Sequence, residues 1–167
     1  EDRADSAELR AKDPHYQRLT NHHYRHAEGT DGDQEHQAGP GEHPLQRLMA
    51  QTIADLAGEP VAAMAVDGCG APVMAISLRG LAAAFGRIAA GPSGSLEAAV
   101  TDAMRTNPEY VGGTRRDVTA LMAGTDGLIA KDGAESVYAV GLADGRGVAL
   151  KVADGAQRAR PVIMAAV

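Results

Sequence analysis

The sequence predicts an α+β domain in which an antiparallel hairpin packs with helices, preceded by a disordered N-terminal leader. Residues 44–57 place apolar side chains at helical spacing, and Pro44 suits the first turn of a helix. Residues 137–142 and 147–152 are two apolar runs that flank a turn containing Asp-Gly, which is a typical hairpin signal. A chain of helices followed by paired strands favours α+β over an alternating α/β order.

Two elements are predicted directly after the first helix. The apolar run at residues 61–66 predicts a short buried strand, which ends at a turn rich in glycine. Residues 76–90 carry apolar side chains at helical spacing before Pro92 interrupts the chain. We expect the inward face of this helix to consist of its large apolar residues, Leu78, Leu81, Phe85 and Ile88.

Three further helices complete the prediction. Residues 95–106 are expected to form a helix capped by the hydroxyl of Ser95. Asp117 is expected to cap a short helix that runs through Met122. The closing segment, residues 156–167, is predicted to be a helix, and its proline must lie in the first turn.

Composition excludes several classes of protein. The chain has 167 residues and only 3% of them are aromatic, so the core must consist of small aliphatic side chains and methionine. A single cysteine excludes an internal disulfide, and no apolar run approaches the ~18 residues of a membrane-spanning helix. The sequence pI of about 5.4 argues against nucleic acid as the main partner. We expect a soluble cytoplasmic protein without nucleic-acid or membrane partners.

The first 42 residues differ from the rest of the chain. Residues 1–46 hold ten of the 22 acidic side chains but only five of the 16 basic ones, and all six histidines lie at or before His43. Large apolar residues are almost missing there, so folding cannot offset the entropy cost of ordering the chain. The spacing of His22, His23 and His26 suggests a metal site, but a disordered histidine-rich leader is the favoured interpretation.

Two glycines frame a cysteine at the end of the first predicted strand. The segment Asp67-Gly68-Cys69-Gly70 would present Asp67 and Cys69 from a tight turn. A thiolate at this position can act as a nucleophile or bind zinc. The alternative, which residue type alone favours, is a buried structural cysteine.

Two basic motifs are candidates for substrate binding and catalysis. The triplet Lys131-Asp132-Gly133 is similar to the Lys-Thr-Gly triplet that edges the active site of serine β-lactamases, although a solvated lysine at a turn is the simpler interpretation. Upstream, Gly113 and Arg116 belong to a glycine-rich loop before a predicted helix. Such a loop can bind a carboxylate through backbone N–H groups and an arginine. The simpler interpretation there is a plain loop before a helix cap.

The chain from His43 onward resembles the rhizobial-type asparaginases, the asparaginase II family. The matching segments occur in the family's order, and several of them are long. They are HPLQ at 43–46, VDGCGAP at 66–72, VGGTRRDVTALM at 111–122, AKDGAESVYAVGL at 130–142 and GRGVALKVADGAQRARPVI at 145–163.

The resemblance implies hydrolysis of L-asparagine to L-aspartate and ammonia on a β-lactamase/glutaminase-like fold. It implies that Lys131 is the lysine that activates a serine nucleophile. It also implies that Cys69 is one of two cysteines that bind zinc together with a lysine, and that Asp67 supports that site. The expected cofactor is therefore zinc, the expected partner is L-asparagine, and the family relationship allows a homodimer.

Several motifs of the family do not occur in this sequence. No Ser-x-x-Lys and no Cys-Ser-Gly-Lys-His segment is present, and Arg115 stands where the family usually has glycine. We therefore expect residues 43–167 to be the C-terminal part of an asparaginase-like domain, truncated and inactive, behind an unrelated leader. The alternative is a non-catalytic remnant that misfolds or associates with a complementary chain.

Overall fold

A computed structural model describes residues 43–167, and the expectations for residues 1–42 lie outside this range. Helices and strands follow one another in blocks along the described chain, and all its strand pairs are antiparallel, which confirms the α+β class. The helices are α1 (Pro44–Ala57), α2 (Leu78–Ala89), α3 (Leu96–Thr106), α4 (Pro108–Gly112), α5 (Asp117–Gly124) and α6 (Arg160–Ala166). The strands are β1 (Ala63–Val66), β2 (Pro72–Ala75), β3 (Leu128–Asp132), β4 (Val137–Leu142) and β5 (Gly147–Lys151).

The described residues divide into two compact units. The first contains residues 43–51 and 61–75, and the second contains residues 52–60 and 76–167. In the first unit β1 and β2 form an antiparallel hairpin, in which Ala63 pairs with Ala75 and Val66 pairs with Pro72. The predicted strand at 61–66 is therefore confirmed in part, but its predicted burial is wrong because all four residues of β1 are exposed. A two-stranded hairpin cannot bury its own side chains, which are covered only where another element packs on its face.

The second unit is built on a three-stranded antiparallel sheet in the order β3-β4-β5. The predicted hairpin is confirmed, since β4 and β5 pair in register around the turn at 143–146. Strand β3 has no counterpart in the sequence-based prediction. It pairs with β4 so that Asp132 lies opposite Tyr138, which places Lys131 and Asp132 at the end of an edge strand.

Helix α2 packs on one face of this sheet, against β4 and β5. The approach is close: a Cβ at Gly141 would collide with the Phe85 carbonyl oxygen, and one at Gly147 with the Ala82 carbonyl oxygen. The predicted inward face of α2 is wrong for Leu78, which is 45% exposed, while its other three members are half-buried. The buried residues of α2 are small ones, Gly80, Ala84, Gly86 and Ala89. A Cβ at Gly86 would collide with the Gly145 carbonyl oxygen in the turn between β4 and β5, and one at Gly80 would collide with the Glu59 carboxylate.

The other face of the sheet carries the main hydrophobic core, with side chains from α5, α6, β3 and β4. Its buried members are Val118, Met122, Leu128, Ala130, Tyr138, Val140 and Met164. As composition predicts, most of this core is aliphatic side chains and methionine. Each of these side chains buries a small apolar area, and each Å² buried stabilises the fold by ~25 cal/mol.

Helix ends test three of the predicted signals. Ser95 caps α3 as expected, since its hydroxyl accepts a hydrogen bond from the Ala98 N–H at 3.1 Å. The predicted capping role of Asp117 is wrong, because the N-cap of α5 is Arg116 and the Asp117 carboxylate instead binds a distant arginine. The closing helix is shorter than predicted, but its proline does lie in the first turn.

Within residues 43–167, three residues other than glycine adopt left-handed backbone conformations. Glu135 and Ser136, in the turn between β3 and β4, have φ of 54° and 59°, and Arg115 in the loop before α5 has φ of 62°. Such angles cost about 1–2 kcal/mol per residue outside glycine. The φ of Arg115 gives a backbone reason for the glycine that the resemblance implies at position 115. Ser136 is also fully buried, and its hydroxyl has no hydrogen-bond partner within the described chain.

Candidate functional site

Three cationic side chains meet at one carboxylate where β3 ends. The Lys131 Nζ lies 3.0 Å from Asp132 Oδ1, and Arg116 lies 2.7 Å from Asp132 Oδ2. Arg160 is paired with the same Oδ2 at 3.0 Å. Its other terminal nitrogen donates to Asp117 at 3.0 Å and 3.3 Å. We call these five residues, Lys131, Asp132, Arg116, Arg160 and Asp117, the Asp132 cluster.

Each member of the Asp132 cluster lies at the end of a regular element. Lys131 and Asp132 are the last residues of β3, and Arg160 is the first residue of α6. Arg116 and Asp117 lie where α5 begins. The packing of α5 and α6 on the sheet therefore fixes which charged groups face the end of β3.

Arg160 is the buried centre of the cluster. Its side chain is only 2% exposed, and its guanidinium lies 5.3 Å from the centre of the Tyr138 ring, within the range of a cation–π contact. A buried charge is costly unless it is paired. The carboxylates of Asp117 and Asp132 provide that pairing from two separate elements.

The environment sets the protonation state of two members of this region. Partial burial acts to raise the pKa of Asp132. The hydrogen bond and charge of Lys131 act in the opposite direction, together with the guanidinium groups of Arg116 and Arg160, and this pKa ends below its usual value. Burial raises the pKa of Tyr138 to about 12, and the charge of Asp117 adds to the rise. Near neutral pH Asp132 is therefore ionised and Tyr138 is protonated.

The exposed side of the cluster is cationic. Lys131 and Arg116 are 49% and 43% exposed, whereas the Asp132 side chain between them is only 11% exposed. With three cations and two carboxylates, the cluster carries one excess positive charge. Its solvent-facing groups can therefore bind a small anion such as the carboxylate of an amino acid.

The loop before α5 brings Arg116 to the cluster. Its Gly113 N–H, which the sequence suggests as a donor to a carboxylate, is instead used within the protein. The Gly113 N–H donates to the Glu109 carbonyl at 2.9 Å and so caps α4. The Gly113 carbonyl accepts from the Thr119 hydroxyl at 2.7 Å. With φ of 94°, Gly113 holds a conformation that side chains disfavour, which shapes the loop that positions Arg116.

Asp67 and Cys69 lie together in the turn between β1 and β2, in the first unit. The Asp67 carboxylate accepts from the Gly68 N–H at 2.6 Å, and the Cys69 thiol donates to it with 3.7 Å between the heavy atoms. Cys69 is free and exposed, so the expectation of a buried structural cysteine is wrong. The turn closes through a hydrogen bond from the Asp67 N–H to the Ala71 carbonyl, which leaves both side chains on the surface.

A family model described as L-asparaginase II matches residues 29–167. The chain belongs to the L-asparaginase II family. The matched range begins upstream of His43, so the similarity reaches further toward the N-terminus than the sequence motifs indicate. A search of curated proteins found no match. Among residues 43–167 of this asparaginase-family chain, no helix is long and apolar enough to cross a membrane.

The zinc that the resemblance implies requires more ligands than the described part of this asparaginase-family chain brings together. Cys69 and Asp67 offer one sulfur and one carboxylate, whereas a structural zinc site has four ligands. Residues 43–167 contain no group of three His, Cys, Asp or Glu side chains placed to hold a metal ion. This donor set does not fit a zinc ion by itself.

Sequence reasoning found part of the Asp132 cluster and missed the rest. Lys131 and Arg116 were candidates for separate reasons, and the structure joins them through Asp132. Asp132 was part of the Lys-Asp-Gly triplet but had no assigned role. Arg160 carried no signal in the sequence, because a lone arginine is normally expected on the surface.

Proposed function

We propose that this asparaginase-family chain binds L-asparagine at the Asp132 cluster and belongs to the machinery that hydrolyses its side-chain amide. The observation that carries the proposal is the pair of half-exposed cations, Lys131 and Arg116, held on one nearly buried carboxylate. Family membership supports the reaction, in which water cleaves the amide C–N bond to give L-aspartate and ammonia. The sheet and its helices would form part of a β-lactamase/glutaminase-like fold.

We assign different roles to the two exposed cations. Arg116 receives the α-carboxylate of asparagine, because its planar guanidinium suits that group. Gly113 shapes the loop that presents Arg116. Lys131 moves a proton during amide cleavage, since an amine at the site can accept or supply the proton that departs with ammonia. Asp67 and Cys69 remain proposed from the resemblance, as a support and one ligand of a zinc ion that needs further donors.

We also propose that these 167 residues alone do not turn over asparagine. They contain no Ser-x-x-Lys pair. In the described chain the hydroxyls of Ser77 and Ser95 cap helices, and that of Ser136 is buried. The fourth serine, Ser93, is exposed in the turn between α2 and α3. No serine hydroxyl among residues 43–167 is hydrogen-bonded to Lys131 Nζ, which contacts Asp132 instead. A proton-transfer group without its nucleophile cannot replace the complete set, because such residues act as a unit.

Ammonia release tests this part of the proposal. The purified 167-residue protein, incubated with L-asparagine and assayed for ammonia by a coupled enzyme, should give no more than the buffer does. Turnover by the unaltered chain would show that the proposed inactivity is wrong. If activity is found, the variants Lys131→Ala and Lys151→Ala show whether Lys131 is responsible. Activity lost only in Lys131→Ala would support its role in proton transfer, and activity kept in both variants would contradict that role.

A further inference from the structure

We infer that Asp132 is a positioning residue that holds the Lys131 amine at the end of β3, and that Arg160 and Arg116 fix its carboxylate in place. The inference deepens the proposed function and rests on it in one respect, namely that Lys131 is the proton-transfer group. The contacts themselves do not depend on the identity of the substrate.

A second lysine in the same sheet shows what Asp132 adds. Lys131 and Lys151 each donate to the backbone carbonyl of the following residue, at 2.6 Å and 2.8 Å. Lys131 has in addition the Asp132 Oδ1 at 3.0 Å, whereas the residue that follows Lys151 is valine. Two anchors restrict a flexible lysine side chain more than one does, because both distances must be met at once.

The carboxylate that provides the second anchor is itself fixed. Its Oδ2 is paired with Arg116 at 2.7 Å and with Arg160 at 3.0 Å. Arg160 is buried and is held from the other side by Asp117, which lies at the start of α5. The Asp132 carboxylate is therefore held in one position. Through Arg160, helices α5 and α6 determine where this carboxylate holds the Lys131 amine.

Arg116 and Lys131 share the charge of the same carboxylate. Each binds a different oxygen of Asp132, and both are half-exposed. When the positive charge of Arg116 is removed, Arg160 still holds Asp132 Oδ2, and the carboxylate should pair more strongly with Lys131. Removing the charge of Asp132 should weaken the electrostatic attraction that holds the Lys131 ammonium group. Tyr138, Asp117 and Arg160 also face this carboxylate or its guanidinium partner, and they are unchanged in both cases.

The experiment compares how fast acetic anhydride modifies the two lysines at mildly alkaline pH. Amines react only in the unprotonated form, and peptide mass spectrometry reports Lys131 and Lys151 separately, so Lys151 is the internal reference. In Asp132→Asn we expect Lys131 to react about threefold faster than in the unaltered chain. In Arg116→Gln we expect it to react about threefold more slowly. Lys151 should keep its rate in both variants.

The positioning role is supported if the modification rate of Lys131 rises in Asp132→Asn and falls in Arg116→Gln while the rate of Lys151 stays constant. A general loss of structure would instead change the rates of both lysines in the same direction. A Lys131 rate that follows Lys151 in Arg116→Gln overturns the positioning role. Arg116 is half-exposed, so this variant should keep the fold and decides the matter even if Asp132→Asn does not fold. Labelling uses no asparagine, so a failure of the proposed function and a failure of this inference give separate results.

Discussion

Replacing Arg160 by methionine should lower the free energy of unfolding by about 3–5 kcal/mol, the range observed when one partner of a buried ion pair is removed. Methionine fills much of the arginine volume but leaves Asp117 and Asp132 close together without the cation between them. It also removes the contact with the Tyr138 ring. Urea unfolding followed by circular dichroism measures the change.

The matched control is Arg158→Met, two residues earlier in the chain. Arg158 also pairs with an aspartate, Asp154, at 2.5 Å, but both side chains are largely exposed. Exposed pairs contribute about 0–1 kcal/mol, so this variant should unfold almost like the unaltered protein. Equal losses in the two variants would show that Arg160 does not connect α5, α6 and β3 in the way the contacts indicate.

Replacing Gly147 by alanine should cost about 3 kcal/mol, because the added methyl group would collide with the Ala82 carbonyl oxygen of α2. A backbone atom within a helix cannot move aside alone, so α2 would have to shift away from β4 and β5. The measurement is again the free energy of unfolding in urea.

Gly124→Ala provides the comparison for this substitution. Nothing lies within 4 Å of a Cβ at Gly124, which is the last residue of α5. Alanine also favours helix over glycine, so this variant should be neutral or slightly more stable. If Gly147→Ala were as well tolerated, the close approach of α2 to the sheet would be wrong.

Local signals explain which elements of the fold were predictable. The hairpin of β4 and β5 follows from two apolar runs around an Asp-Gly turn, and α1 follows from helical spacing behind Pro44. Strand β3 has only five residues, and its place in the sheet depends on pairing with β4. Such short apolar runs do not reveal their structure by periodicity. The buried face of α2 was missed for a related reason, since it depends on glycines in two distant strands.

The candidate site, too, was predictable only where local sequence signals mark its residues. Lys131 and Arg116 could be selected from short motifs, but their meeting at Asp132 depends on how α5 packs beside β3. Arg160 pairs with Asp117 from 43 positions away, a contact that no local pattern encodes. The left-handed conformations of Glu135 and Ser136 were equally hidden, because neither residue type favours them.

The central claim is that the Asp132 cluster binds asparagine, with the α-carboxylate of the substrate on Arg116. A titration of the isotope-labelled protein with L-asparagine, followed by NMR, tests it most directly. We predict saturable shifts of the backbone amides at 113–116 and 131–132, with a dissociation constant of about millimolar order. The shifts should vanish in Arg116→Met, persist in Arg158→Met, and be missing with propionamide, which has no carboxylate. Shifts that persist in Arg116→Met, or that propionamide reproduces, would contradict the claim.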